Sequence, residues 1–473
     1  MAELAISVDI GSTWTKGALV DLSTARAIAR SEAPTTPDDL SRGFEAVWGP
    51  LSAEGERRGA RECETFLSSS AKGGLRIAAI GIVPDLTLKA ARLAAASAGG
   101  KVVATFSYRL HGRDIEALAA AESDLVLLAG GTDGGDESYA LGNAAALAAS
   151  PVDAAVVYAG NAAVRDEVLA ILRGAGKRAV GVDNILPDLD RLECAGARDA
   201  IAALFLERII EGRGLSAVRA RCSAEPRPTP AAVFDLVTAM DGRGGVGGTR
   251  GFLLADMGGA TTDVYSACEP FAGTADTVYR GIPEPRIKRS VEGDLGLRVS
   301  ARNLWELCRA GADAALGAPG AAELERWVAD VSAETGRLPR TDRERALDDY
   351  LAVSCLAESI RRHAGSAEGV YTATGLVWVQ TGRDLSGIGA AIGSGGALAR
   401  SGSGALFRAA LDAAGVSPDA ARPRRVLTPR GYGLRYWRDA QYLIPLAANL
   451  SVKYEDVAVE LAAAGLVEEG ESR

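Results

Sequence analysis

The sequence predicts an α/β protein of more than one domain, on three observations. Segments of strand length alternate with segments of helix length from Arg76 to Val182, the pattern of a parallel sheet covered by helices. Two β-hairpins, one opening at Leu4 and one at Gly251, each end an apolar strand with an aspartate. The chain has 473 residues, more than a single core holds at roughly 150 residues per domain.

Leu4 to Asp9 alternates, turns at Gly11 and returns over Thr15 to Asp21, a hairpin around Gly-Ser-Thr. A helical period follows from Asp38 to about Arg58. Arg76–Val83, Val102–Phe106, Asp124–Ala129, Ala154–Ala159 and Ala179–Val182 read as buried strands, with helices over Thr87–Ala98 and Ala163–Gly174. Ile201–Glu211 is helical in pattern. The Pro-rich stretch Cys222–Pro230 and the Gly-rich stretch Asp241–Gly251 flank a helix at Ala231–Met240 and mark the boundary between halves. Within the second of these, Gly242–Gly248 lacks the Lys-Ser/Thr ending of a phosphate loop and reads as a linker. The second hairpin spans Gly251–Ala267, and mostly helical sequence runs to about Arg362. A short strand, Gly387–Ile392, then enters Gly393-Ser394-Gly395-Gly396, which opens a helix.

Composition narrows the function classes. The formal charge is -9, from 52 basic and 61 acidic residues, and no basic block stands out, so nucleic acid is not an expected partner. No apolar run approaches the roughly 20 residues of a membrane span, and Met1–Asp9 enters a strand pattern with no basic leader. The expectation is a cytoplasmic protein with no membrane partner. Cys63, Cys194, Cys222, Cys268, Cys308 and Cys355 are scattered without finger-like spacing, which predicts reduced thiols rather than zinc or an iron–sulfur cluster. His111 and His363 lie far apart and suggest neither a metal site nor a catalytic triad. His363 ends a helix, a favourable place for a partly charged imidazole.

The chemistry-bearing stretches are the two turns, Asp9-Ile-Gly-Ser-Thr-Trp-Thr-Lys16 and Asp256-Met-Gly-Gly-Ala-Thr-Thr-Asp263. Each offers backbone N–H groups and hydroxyls to phosphate oxygens, because glycine lets the main chain approach an anion closely. Asp9 and Asp256 then lie where a hydrated magnesium would bridge the phosphates, since that ion keeps most of its waters and needs one or two carboxylates. Lys16 is either a solvated strand lysine or a cation within reach of a phosphate. Gly130-Gly-Thr-Asp-Gly-Gly135 follows an apolar strand and is either a ligand loop or a tight turn with Asp133 at its tip.

The two turns followed by Ile388-Gly-Ala-Ala-Ile-Gly-Ser-Gly-Gly-Ala-Leu398 form an ordered triple that resembles the actin, sugar kinase and heat-shock chaperone ATPase superfamily. The resemblance implies a two-lobed actin-like α/β fold with ribonuclease H-like lobes and an α/β insertion in the first lobe. It assigns Asp9, Gly11, Ser12 and Thr13 to the first phosphate motif, with Lys16 beside it. Asp256, Gly258, Gly259, Thr261, Thr262 and Asp263 match the second, and Gly393, Ser394, Gly395 and Gly396 match the adenosine loop. The cofactors implied are ATP and Mg2+, with Asp9, Asp256 and Asp263 as catalytic aspartates and Asp9 and Asp256 as metal ligands. Val291-Glu-Gly-Asp-Leu-Gly296 stands where superfamily members carry a Gly-Asp element closing over the terminal phosphate. By that reading Gly293 and Asp294 touch the nucleotide; otherwise they are a turn and a helix N-cap.

Longer stretches resemble one family, the MutL/GlmL-type accessory proteins of adenosylcobalamin-dependent methylaspartate (glutamate) mutase, which are unrelated to mismatch-repair ATPases. They include Ser69–Arg76, Gly81–Thr87, Leu128–Gly135, Tyr158–Asn161, Val182–Pro187, Asp256–Val264 and Val291–Gly296. Toward the end, Tyr436–Leu446 keeps an aromatic-rich pattern leading into a helix but lacks the aspartate the resemblance leads one to expect before its second tyrosine. This resemblance implies a reactivating chaperone, a weak ATPase whose lobes close on the γ-phosphate and part on its release, expelling damaged cobalamin from the mutase. The expected partner is the glutamate mutase rather than free cobalamin, because no Asp-x-His-x-x-Gly ligand motif occurs. A small-molecule kinase on the same fold is the alternative, although no separate base for an acceptor hydroxyl is evident. The implied organisation is a first lobe over 1–75 with a parallel α/β segment at 76–190, a connection at 191–250, a second lobe over 251–450 and a tail helix at 451–473.

Overall fold

The computed structural model describes residues 3–470 apart from 37, 61, 72–74, 211–214, 250, 271–275, 283, 374, 417–423 and 432. Lys72, Gly73 and Gly74 of the quoted stretch Ser69–Arg76 lie outside these residues. The chain divides into two compact units, one of Met1–Gly73, Ile210–Arg280 and Arg286–Arg473, the other of Gly74–Ile209 and Gly281–Pro285.

The first unit contains two sheets with the same strand order. In one, Arg227–Pro228, Glu64–Ser69, Leu4–Ile10, Trp14–Asp21 and Arg26–Pro34 lie side by side. In the other the order is Ile287–Glu292, Thr262–Ala267, Phe252–Met257, Ala390–Ser394, Arg435–Asp439 and Leu466–Glu469. Each sheet centres on the first strand of a hairpin, antiparallel to its hairpin partner and parallel to a strand arriving later in the chain. Numbered along the chain, the first runs 3-2-1-4-5 and the second repeats that ribonuclease H-like order with a sixth strand at its end, and this duplication makes the fold an actin-like α/β one. Leu4–Ile10 is buried along its whole length, Ser7 and Asp9 included, so the alternation read there does not mark a half-exposed strand.

Both sheets contribute to one core. Ala5, Ala18, Val20 and Phe66 from the first and Phe252, Leu254 and Tyr265 from the second join a cluster with the helices Thr229–Gly242, Ile444–Leu450 and Glu455–Gly465. Helix Thr229–Gly242 is apolar nearly all round, as a helix buried on every side must be, and its proline sits in the first turn, where the missing N–H costs nothing.

The second unit holds a parallel sheet ordered Lys101–Ser107, Arg76–Gly81, Leu125–Leu128, Ala155–Tyr158, Ala179–Gly181. Separate apolar clusters form on its two faces. In chain order this unit enters the first sheet between its strands Glu64–Ser69 and Arg227–Pro228.

The structure departs from the sequence reading in several places. Residues 191–250 divide between the units: helix Ala195–Ile210 places Ala197, Ile201, Leu204 and Phe205 in the core of the parallel sheet, whereas Thr229–Gly242 enters the other core. Pro and Gly punctuation marks turns, but apolar content decides where the helices pack. The stretch read as mostly helix after Ala267 contains strands Thr277–Arg280 and Ile287–Glu292, and the hairpin Ser366–Thr372/Gly375–Thr381 was not expected. After helix Glu455–Gly465 the chain adds a last strand, Leu466–Glu469, on the second sheet.

His363 is not a charged helix cap. It is wholly buried, with Nε2 2.7 Å from Ser266 Oγ and Nδ1 2.8 Å from Ser290 Oγ. Burial, reinforced by Lys288 and Arg383, holds its pKa well below the usual value. The unfolded chain takes up this proton near pH 6.5 while the folded chain refuses it. The contribution to stability is therefore complete above pH 6.5 and falls below it by up to about 1.4 kcal/mol per pH unit. Because Asp256 titrates with the opposite sign over this range, the slope should appear in the difference between wild type and His363→Gln, measured by urea unfolding between pH 7.5 and 5.5.

Candidate functional site

The two hairpins present their aspartates in the same register. On the first sheet Asp9 lies opposite Lys16 on one side and Ser68 on the other; on the second, Asp256 lies between Asp263 and Ser394. The turns close alike, with Gly11 N–H donating to Trp14 O at 3.0 Å and Gly258 N–H to Thr261 O at 2.9 Å. A Cβ on Gly11 would sit 2.7 Å from Trp14 O, and one on Gly258 would sit 2.9 Å from Thr261 O, so each tight turn requires glycine.

The turns meet. A Cβ on Gly259 would lie 2.9 Å from Thr13 Cγ2, and one cavity is lined by Gly11, Ser12, Thr13, Gly258, Gly259 and Thr261 together with Lys16, Asp256, Asp263 and Gly396. Backbone N–H groups, hydroxyls, a cation and carboxylates thus converge on one space.

The carboxylates differ in their surroundings. Asp9 is 1% exposed and accepts three hydroxyl hydrogen bonds, from Thr229 (2.6 Å) and Ser68 (3.1 Å) on Oδ1 and from Tyr442 (3.1 Å) on Oδ2. Burial raises its pKa and these bonds, with the Lys16 charge, oppose the rise. The Asp256 carboxylate has no hydrogen-bond donor among the described residues; burial first, then the charges of Asp263 and Asp9, push its pKa up to about 7. Asp263 is already bonded to the buried Arg289, whose Nε donates to it at 2.9 Å. Lys16 is not solvated as a strand lysine would be: its Nζ lies 3.3 Å from the Tyr442 ring centroid, and burial lowers its pKa while Asp9 acts to raise it.

The remaining expected residues separate into two groups. Gly396 begins helix Gly396–Ser401, and a Cβ there would lie 3.3 Å from Lys16 Nζ. Gly393, Ser394 and Gly395 shape the loop from beneath. Gly393 packs against Leu398 and Phe407, the Ser394 hydroxyl donates to Asp439 at 3.1 Å, and Gly395 presses on the Met257 backbone. Thr262 faces away, its hydroxyl on Leu295 O at 3.1 Å. Gly293 and Asp294 are absent from the cavity lining. Asp294 instead accepts from Arg362 at 2.9 Å, and Gly293 O accepts from Ser300 Oγ at 3.3 Å, while the helix that follows is N-capped at Ser300 and not at Asp294.

Ser68, Thr229, Arg400, Asp439 and Tyr442 were missed. Arg400, which lines the cavity, stands four residues after Gly396 on its helix, a helical spacing that the sequence does show. The others reach the site only through tertiary structure. Among the described residues no group of three or more His, Cys, Asp or Glu could hold a metal ion, and no helix is long and apolar enough to cross a membrane.

Comparison with known proteins gives the following. The family described as "MutL protein" matches residues 5–466. "Protein MutL" of Clostridium tetanomorphum is 34% identical over 407 residues, spanning 83% of this chain and 86% of that protein. Among solved structures, gluconate kinase from Lactobacillus acidophilus overlaps 99% of this chain and 93% of its own at 9% identity, with a TM-score of 0.35. The activator of the 2-hydroxyisocaproyl-CoA dehydratase from Clostridium difficile, with ADPNP bound, overlaps 97% and 96% at 10% identity, with a TM-score of 0.28. The fold assignment rests on the repeated strand order and not on these overlaps. The match from residue 5 to residue 466, together with the identity to the clostridial protein, establishes that the chain belongs to the MutL family.

Proposed function

We propose that this protein is an accessory ATPase that reactivates an adenosylcobalamin-dependent glutamate mutase. The observation that carries the nucleotide part is the repeated register: two aspartates at equivalent strand ends, each before a glycine turn, with both turns on one cavity. The mutase part comes from membership of the MutL family and the resemblance that named its client.

The donor set suits magnesium held largely by phosphates and water. Asp256 is a half-buried carboxylate with no hydrogen-bond donor, crowded by other carboxylates, and a cation would relieve it. Asp9, with both oxygens engaged by hydroxyls, is suited to a water-mediated role. Bound MgATP would supply the phosphoryl group and the charge that bridges its oxygens. The backbone N–H groups of the Gly11 and Gly258 turns would orient the phosphate oxygens, Lys16 would neutralise them, and Gly396 would leave room for the nucleoside. Because the turns belong to different sheets, loss of the terminal phosphate removes what both hold, which is how nucleotide state would reach a partner.

Among the described residues the kinase reading lacks a base without another role. Asp9 is held by three hydroxyls and Asp263 by Arg289, which leaves Asp256 to serve as both metal ligand and base. The deciding experiment inactivates glutamate mutase by turnover, adds this protein with fresh adenosylcobalamin, and follows activity. Recovery should require MgATP. Equal recovery with ATP, with a non-hydrolysable analogue and with Asp256→Ala would remove the chaperone reading.

A further inference from the structure

The loop joining strand Arg435–Asp439 to helix Ile444–Leu450 carries Tyr442, to which the roles above assign nothing. Its φ is +55°, a left-handed backbone that costs a bulky residue about 1–2 kcal/mol and persists only where the surroundings enforce it. Two contacts accompany this conformation. The hydroxyl donates to Asp9 Oδ2 at 3.1 Å, and the ring lies 3.3 Å from Lys16 Nζ, close enough for a cation–π attraction. One side chain thus holds both charged groups of the first turn.

The same loop is tied to the other sheet. Asp439 is wholly buried. It accepts from the Ser394 hydroxyl at 3.1 Å and from the backbone N–H groups of Leu443 at 2.8 Å and Ile444 at 3.0 Å. Ser394 immediately precedes Gly395 and Gly396. A continuous path therefore runs from the glycine loop through Ser394 and Asp439 to the Tyr442 segment, and from Tyr442 to Asp9 and Lys16. Its endpoints are 45 and 433 residues apart along the chain at the two hydrogen bonds that close it, and every member lies in one compact unit.

Resting on the MgATP reading above, we propose that Tyr442 is a positioning residue that couples the Ser394–Gly396 loop to Asp9 and Lys16, so that a nucleoside seated on the loop sets the geometry at the phosphate end. Asp9 is otherwise fixed by Ser68 and Thr229, which bond Oδ1 alone. The Tyr442 hydroxyl is the bond on Oδ2, and it fixes the rotation of the carboxylate. Loss of that bond should leave nucleotide binding in place and misalign the chemical step.

Tyr442→Phe keeps the ring over Lys16 and removes only the hydroxyl. Steady-state kinetics on the full chain should show kcat about tenfold lower, KM for MgATP changed less than about threefold, and a melting temperature within about 2 °C of wild type. Ser394→Ala should lower kcat by a similar factor. Because both substitutions cut one path, the double variant should lose about tenfold rather than the roughly hundredfold expected of independent sites. Unchanged kcat in Tyr442→Phe, a parallel fall of kcat and melting temperature, or multiplying losses in the double variant would overturn the coupling. Wild-type protein that turns over no MgATP would instead overturn the nucleotide reading on which it rests.

Discussion

Gly395→Val should abolish MgATP binding, with a loss of at least about a hundredfold in affinity. Gly395 has φ +115°, and a Cβ there would sit 2.2 Å from Met257 O and 3.0 Å from Met257 N and C. These are backbone atoms of the strand that carries Asp256, so no side-chain rotation can relieve the clash. The glycine loop must move away from the Gly258 turn, and the cavity loses the relation of Gly396 to both turns. Gly387→Ala is the matched control, because a Cβ there meets nothing within 4 Å. Fluorescent-nucleotide titration alongside thermal melts checks the pair. A folded Gly395→Val protein that binds nucleotide like wild type would show that this loop is not part of the site.

Replacing the two central aspartates should cut ATP turnover by about a hundredfold or more in both cases while changing stability by different amounts. Asp256 holds its proton until about pH 7. A carboxyl whose pKa is raised by folding destabilises the folded state as pH climbs from its ordinary value near 3.8 through that point. At pH 8 the ionised group carries an unfavourable contribution on the order of 4 kcal/mol, less whatever solvent screening its half-buried position allows. Asp256→Asn should therefore raise the unfolding free energy of the nucleotide-free protein at pH 8. The pKa of the Asp9 carboxyl is raised by burial as well, but there an amide N–H2 would face hydroxyls that now donate to the carboxylate, so Asp9→Asn should gain less than Asp256→Asn. Denaturant unfolding at pH 8 beside ATPase rates makes the comparison, and turnover at wild-type levels in either variant would mean that its aspartate has no part in the reaction.

The hairpins were legible because their requirements are local. A strand, an aspartate and a glycine whose N–H bonds the carbonyl three residues on leave a short signature, and it occurs twice. The parallel sheet was legible for a similar reason, since strands such as Leu125–Leu128, buried on both faces, read as unbroken apolar runs. What surrounds Asp9 leaves no such trace. Ser68, Thr229 and Tyr442 reach it from 59, 220 and 433 residues away, and spacing along the chain says nothing about such meetings. Strand Arg26–Pro34 was missed because it is a half-exposed edge with charged residues and no clean alternation, and the hairpin Ser366–Thr381 because much of it is exposed. For His363, the general preference of cations for helix ends gave way to complete burial between two serines. Asp294, read as a nucleotide contact or a cap, pairs here with Arg362, which is 68 residues away in the chain.

The central claim is that the two glycine turns and their aspartates form one magnesium–nucleotide site. Calorimetric titration of the full chain with ATP, with and without magnesium, tests it most directly. The account predicts a single site whose affinity is at least about tenfold tighter with the metal. It also predicts that Asp256→Asn loses this magnesium dependence while keeping weak binding of the metal-free nucleotide. No binding under either condition, or identical binding with and without magnesium in the wild-type protein, would contradict it.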